Sequence, residues 1–428
     1  MSELSKQMDV LLKRLFPICR SITGSGVRET LAIIQEHIPL KVHEVPSGTP
    51  VLDWIVPQEW DIKDAWVRNS AGKKVIDFSR SNLHVMSYSI PVRERMNLAK
   101  LKEHLYSLPD DQDTIPYRTS YYAPNWGFCL THREFLALPE DEYEVVIDSS
   151  LANGSLTYGE YYIKGQAAEE VLLSCYVCHP SMANDNLSGP VLLTFLAKEL
   201  ARKQNRLHYS YRLIFIPETI GALVWLSRNQ AVLPRIKHGL VATCCGDSGP
   251  FTYKQSRRGD APIDQAAQEA LTRSGRQHRI RAFYPIGSDE RQFCSPGFNL
   301  PVGSLMRTPY GEFSEYHTSR DDLELVSGRN ISESFELYEQ TLNILEQAPR
   351  YRNLLPFGEP QLGRRDLYSS IGGMRHSEAR GRAIQWLLNF SDGEHLVSDI
   401  ARRSGLEETL LTETAEFLVE KGLLQRVR

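Results

Sequence analysis

Three short, almost wholly apolar runs, 171–178, 211–216 and 239–245, alternate with helix-length segments at 188–203 and 220–229. Parallel strands joined by crossover helices are the simplest fold for that rhythm, with the strands buried. The segment from Ser174 to Leu200 reads SCYVCHPSMANDNLSGPVLLTFLAKEL. It contains the end of a buried strand, then His179, then a polar loop holding Asp185. In the helix that follows, Val191, Leu192, Phe195, Leu196 and Leu200 recur at helical spacing. A strand ending in a histidine, a loop with an aspartate and a helix is where open α/β sheets place their chemistry. An imidazole and a carboxylate are also natural ligands for a divalent cation.

The rest of the chain extends this frame. Leu4, Met8, Leu11, Leu12 and Leu15 mark a first helix, and a second runs to about His37, before a strand, a turn and a further strand over residues 39–56. The composition then changes. Trp54, Trp60, Trp66 and Trp126, four of the six tryptophans, fall between Asp53 and Tyr143 among short alternating runs such as Leu83–Tyr88, so a small β-rich module is expected there. After residue 245 the spacing predicts a helix over 262–274, strands at 280–284 and 300–306, and a helix over 331–347. Residues 349–375 are rich in Arg, Pro and Gly and read as a linker. The helix–helix–helix–Gly–strand order of the tail is that of a winged helix-turn-helix. The expected domains are therefore an α/β domain over 1–52 and 155–350, a β-rich insert over 53–154 and a winged helix over 370–428.

Composition excludes several function classes. A formal net charge of -4 with 24% charged residues leaves no footprint for nucleic acid or an anionic membrane. No apolar run is long enough to span a bilayer, and the N-terminus lacks the apolar core of a secretory signal. Seven cysteines without regular spacing fit reduced thiols in a cytoplasmic protein. Cys175, Cys178, Cys244 and Cys245 lie in strand-like apolar runs and read as small core residues. The tail holds about as many acids as bases over 375–428, whereas DNA binding needs an excess of cations. Protein contact or self-association through the winged helix is the favoured role.

Three further places resemble the first in kind. Glu218 stands just past a strand end, Asp289 follows the strand expected to end at Tyr284, and His317 precedes the acidic pair Asp321-Asp322. Each alone has a plainer reading. Asp185 could cap a helix, Glu218 could be a surface carboxylate, Asp289 could make an Asx turn and His317 could be a solvated loop residue. Together they supply two imidazoles and two carboxylates for one or two zinc ions, with a spare Glu as general base.

Their order along the chain resembles the M28-type zinc aminopeptidases, in particular the DUF4910 aminopeptidase-like branch with its DUF2172-like insert and C-terminal winged helix. Asn184-Asp185-Asn186-Leu187-Ser188-Gly189 is similar to the family's Asp-Asp-Asn-x-Ser-Gly, Glu218-Thr219-Ile220-Gly221 to its Glu-Glu-x-Gly, Ser288-Asp289 to its Ser-Asp segment, and Tyr316-His317-Thr318-Ser319-Arg320-Asp321 to its Tyr-His-Thr-x-x-Asp. The resemblance covers residues 1–50 and 155–350 and implies a phosphorylase/peptidase-like mixed sheet flanked by helices. It makes Asp185 a bridging ligand, His179 and Asp289 partners on one metal, His317 the ligand of a second and Glu218 the base. Two positions depart from the pattern. Thr219 stands where the family has a second Glu, and Ser181 stands where His-x-Asp would end. A neutral hydroxyl is a poor zinc ligand, so a single-zinc centre is open beside a two-zinc one.

The resemblance implies a zinc-dependent hydrolase acting on a small peptide or aminoacyl amide, with Tyr316 or Arg307 steadying an oxyanion or a substrate carboxylate. Members of the branch accompany surface-polysaccharide genes, which implies an aminoacylated or sugar-linked amide. A single-zinc acyl-transfer or cyclising enzyme of the glutaminyl-cyclase type stays open, as does a non-catalytic binding protein on the same fold.

Overall fold

The apolar runs become adjacent strands because no other arrangement covers both of their faces. In the computed structural model, which describes residues 2–365, 367 and 375–427, Glu170–Tyr176 and Ser210–Ile216 are buried at every position. The chain divides into two units, Met1–Thr341 and Leu342–Arg428.

Eight strands form the main sheet of the first unit: β1 (Lys41–Pro46), β2 (Ser155–Ile163), β3 (Glu170–Tyr176), β4 (Ser210–Ile216), β5 (Ile236–Val241), β6 (Phe251–Lys254), β7 (His278–Arg281) and β8 (Val302–Met306). Their order is β1-β2-β4-β3-β5-β8-β6-β7. The four central strands β4, β3, β5 and β8 run parallel, while β2 joins β4, and β6 joins β8, antiparallel. The fold class is thus the mixed α/β sheet expected. Residues following the parallel strands emerge along one edge, which is what brings the chemistry together.

The helices match the periodicity. α1 (Glu3–Leu15) buries Met8, Leu11, Leu12 and Leu15, each worth about 1.5–3 kcal/mol of burial. α2 (Ser25–Gln35), α3 (Ser188–Lys203), α4 (Ile220–Arg228) and α5 (Pro262–Ser274) follow, and α6 (Gly328–Gln347) contains the boundary between the units. Gly189 in the first turn of α3 has no room for a side chain, since a Cβ there would lie 2.2 Å from the carbonyl oxygen of Ala242. That close approach seats the helix start against the end of β5.

Two strand boundaries differ from expectation. The run 239–245 is strand only to Val241, and Ala242–Gly246 turn away while staying buried. The strand expected at 280–284 runs over His278–Arg281. Apolarity alone does not distinguish a buried strand from a buried turn.

The insert is a four-stranded antiparallel sheet in the order Lys74–Asp77, Glu59–Arg68, Glu142–Ala152, Val92–Asn97. Ala65, Val67, Ile76, Met96, Val145 and Ile147 fill its core. In the second unit, β9 (Arg350–Asn353) lies between β10 (Asp392–Leu396) and β11 (Leu424–Val427), with α7 (Arg375–Phe390), α8 (Val397–Ser404) and α9 (Glu408–Glu420). Residues 350–353, read from composition as linker, are therefore the central strand of the winged helix, with Tyr351 in its core. Within the same reading Leu362–Arg365 form a short 3-10 helix with Leu362 in that core, and only residues 366 and 368–374 of it lie outside the described residues. Among the described residues no helix is long and apolar enough to cross a membrane.

Candidate active site

The loop leaving β3 is held at both ends. Arg20, almost wholly buried, donates from Nε to the carbonyl of His179 at 2.8 Å. The Asp321 carboxylate accepts from the backbone amides of Asn184, at 2.5 Å, and Asp185, at 2.8 Å. Asn184 in turn spans to Asp247 and to the amide of Gly246. The Asp185 side chain does not cap α3, whose N-cap is Leu187 with no side-chain bond. It accepts instead from the hydroxyl of Tyr176, which also pairs with Thr243 at 2.7 Å.

These constraints bring His179, Asp185 and His317 together, with one donor atom from each lying within 4.8 Å of the others. His179 Nδ1 is 3.9 Å from Asp185 Oδ1, and His317 Nε2 is 2.9 Å from Asp185 Oδ2. His317 and Asp185 are thus paired at that distance. His179 Nδ1 is buried without a hydrogen-bond partner. Burial, with the charges of His317 and Arg20, pushes the His179 imidazole down to about 4, so it is neutral near pH 7. Burial pushes Asp185 up, but the two imidazoles and Tyr176 outweigh it and hold the carboxyl at about 2. The set therefore offers a neutral nitrogen of His179, a ring nitrogen of His317 and an anionic oxygen of Asp185.

Glu218 lies on the other side of the His179 ring, its Oε2 3.7 Å from Nε2. Burial, then the charges of Asp289 and Asp185, raise its carboxyl well above the usual range, although a quarter of the side chain stays exposed. Cys178, expected as plain core, is buried, but its sulfur accepts from the amide of Glu218 at 3.3 Å and lies close to His179 and Glu218.

The Asp289 carboxylate is outside the three-residue cluster, and its Oδ2 is buried without a hydrogen-bond partner. Its Oδ1 accepts from the amide of Thr219 at 2.7 Å, so it braces the turn that carries Glu218, a turn in which Thr219 has φ 61. Burial pushes Asp289 up to about 7. Tyr316 stacks on His317 with centroids 3.9 Å apart, half-buried at the edge of the cluster. Arg307 is engaged elsewhere, paired with Glu333 at 2.5 Å and with the carbonyl of Gly249 at 3.0 Å, so it is not available to a substrate here.

Two residues of the site went unassigned from sequence. Tyr117, from the insert, sets its ring edge-on to both His179 and His317, with centroids 5.2 Å away in each case. No periodicity marks it. Asp321 carried a signal as the last residue of the Tyr-His-Thr-x-x-Asp segment, and its role is to pin the Asp185 loop.

Residues 9–348 match the family described as a domain of unknown function, DUF4910. The chain belongs to the DUF4910 family. Residues 349–426 match a winged helix-turn-helix family. The DUF4910 chain is 53% identical over 426 residues to a Clostridium acetobutylicum protein named for polysaccharide biosynthesis and an aminopeptidase-like domain, covering 100% of this chain and 98% of the other. It is 52% identical, with a TM-score of 0.83, to a crystal structure from Clostridium acetobutylicum that carries a peptidase name, covering 99% of this chain and 97% of that one. It shares its fold with a zinc aminopeptidase from Bacillus subtilis, at 13% identity and a TM-score of 0.59 over 80% of this chain and 96% of the other. An M28 peptidase precursor from Shewanella amazonensis aligns at 13% identity with a TM-score of 0.57, over 81% and 93% of the two chains.

The donor set of this DUF4910 protein fits a zinc ion. Buried polar atoms almost always find partners, and His179 Nδ1, buried without one and facing the Asp185 carboxylate, is free to ligate. Three protein ligands of His and carboxylate type with an open position are the composition of catalytic zinc sites.

Proposed function

We propose that this DUF4910 protein is a single-zinc amide hydrolase of the M28 aminopeptidase kind, acting on a small peptide or aminoacyl amide. His179, Asp185 and His317 would hold the ion. The observation that carries this reading is the Glu218 carboxyl standing beside a cluster of two imidazoles and a carboxylate, in which His179 Nδ1 has no hydrogen-bond partner. Bound there, zinc supplies a Lewis acid that polarises a carbonyl and acidifies water.

The chain's own residues supply the rest. Glu218 takes a proton from the attacking water and returns it to the leaving amine. Its raised pKa favours holding the proton taken from water long enough to pass it to the leaving amine. Asp289 orients this base through the amide of Thr219. The Tyr316 ring stacks on His317, and its hydroxyl would donate to the developing oxyanion. Thr219 contributes no carboxylate and Asp289 lies outside the cluster, so the reading is of one ion.

Glu218→Gln tests it. Turnover of aminoacyl p-nitroanilides should fall by roughly 100- to 10,000-fold, the usual share of a general base. Zinc content by elemental analysis should stay as in the wild type. Retained amidase activity in that variant removes the base assignment.

A further inference from the structure

Arg291 is a half-buried guanidinium beside the site, and its donors are largely unused. It lies on the short helix Glu290–Phe293, two residues past Asp289. Nη2 makes one long contact, 3.3 Å to the hydroxyl of Thr219, and Nε is buried with no partner. Among the described residues no carboxylate comes within the 4.0 Å of an ion pair. Its charge nonetheless acts on both Glu218 and Asp289, so it stands close to the reacting region. Arg20, Arg212 and Arg307 have more of their donors engaged, although Arg20 Nη2 and Arg307 Nε are also buried without partners. Arg20 donates to two backbone carbonyls, Arg212 to Glu160 and Glu170, and Arg307 to Glu333 and two carbonyls.

A guanidinium carries five donors in a planar fork matched to a carboxylate, and burying one without an anionic partner is costly. A fork left this free next to a proposed general base is explained if the substrate brings the anion. We infer that Arg291 is a specificity residue that binds a carboxylate of the substrate close to the scissile amide. The inference rests on the hydrolase reading above and narrows it to amides bearing an acidic group.

Two isosteric pairs test it with the full-length, zinc-loaded protein. Glutamyl against glutaminyl p-nitroanilide varies charge on the acyl side, and leucyl-glycine against leucyl-glycinamide varies it on the amine side. In at least one pair the acid should be preferred in kcat/KM by roughly 10- to 100-fold, the size of one charge-assisted contact, and mostly through KM. Arg291→Gln should bring that ratio to about one, and Arg291→Lys should restore part of it. A wild type without preference in either pair overturns the inference. So does a preference that survives in Arg291→Gln, which would mean that the arginine only braces the Thr219 turn. The same four compounds titrated calorimetrically into zinc-loaded Glu218→Gln, with and without Arg291→Gln, give a second readout. If none of the four is hydrolysed, the hydrolase reading fails, and the calorimetric ratio still decides the role of Arg291.

Discussion

Zinc should stabilise the first unit through His179, Asp185 and His317, and the size of the effect follows from linkage. A ligand that binds only the folded state contributes about 4.1 kcal/mol when present at about 1,000 times its Kd. A unit spanning Met1–Thr341 unfolds with an entropy of about 0.7 kcal/mol per kelvin, from about 2.1 cal/mol/K per residue. Adding zinc to chelator-treated protein should then raise its Tm by about 6 °C in a calorimetric scan. His317→Ala removes one of three donors and should reduce that rise to about 1 °C or less. Because His317 is more than a third exposed, the metal-free Tm of this variant should stay near the wild type, so a lost rise is not lost folding. Asp289→Asn keeps an oxygen for the Thr219 amide and removes no member of the cluster, so its zinc-dependent rise should persist. The reasoning is refuted if Asp289→Asn abolishes the rise while His317→Ala keeps it, because the ion would then be held by a different set of donors.

Two further outcomes are expected. In metal-free protein, His179 has a folded pKa of about 4 against 6.5 unfolded, so the unfolded chain binds the extra proton and stability is lost as pH falls from 6.5 through 4, by roughly 3 kcal/mol. Asp289, raised to about 7, acts in the opposite sense and costs stability as pH rises over the same range, so the measurement is the difference between wild type and His179→Asn in urea melts at pH 4 and 6.5, which should change by about that amount. In the winged helix, α9 occupies the position of a recognition helix, yet it carries Glu408, Glu413, Glu416 and Glu420 and no Lys or Arg, so the full chain should not retard duplex DNA in a gel even at about 50 mM salt.

What was legible in the sequence were the positions fixed by strand ends. His179 and Glu218 follow the neighbouring parallel strands β3 and β4, so alternation alone puts both on one edge of the sheet, whereas His317 comes well after β8 and was tied to them only by the Tyr-His-Thr-x-x-Asp segment. The contact that Asp289 makes with the Thr219 amide was not legible, because chain order does not set the direction of a side chain after a turn. Gly287, at φ 134, swings the segment so that Asp289 faces the Thr219 amide. A Cβ at Gly287 would lie 1.9 Å from the Tyr310 hydroxyl, so that turn is tightly packed. The strand Arg350–Asn353 was hidden by composition. Arg350 is buried and donates to the carbonyl of Leu345, Tyr351 enters the core and Arg352 is exposed, but charged residues mask that pattern in a four-residue run.

The insert was legible as a β-rich module but not as part of the site, and His317 shows why. Its φ is 55, a left-handed conformation that costs a non-glycine residue about 1–2 kcal/mol. Such a residue persists only where its surroundings over-determine it. Here the insert does so. Tyr117 donates its amide to the carbonyl of His317 at 2.8 Å, Ile115 exchanges hydrogen bonds with Ser319, and Pro116 and Thr318 form an antiparallel bridge between these contacts. The strained backbone that aims His317 at Asp185 is thus held by residues about 200 positions earlier in the chain, and the ring of Tyr117 closes the wall against both imidazoles. No local pattern records a constraint of that range. The insert and the proposed metal centre are coupled through backbone, so the β-rich module is part of what makes the site and not an appendage to it.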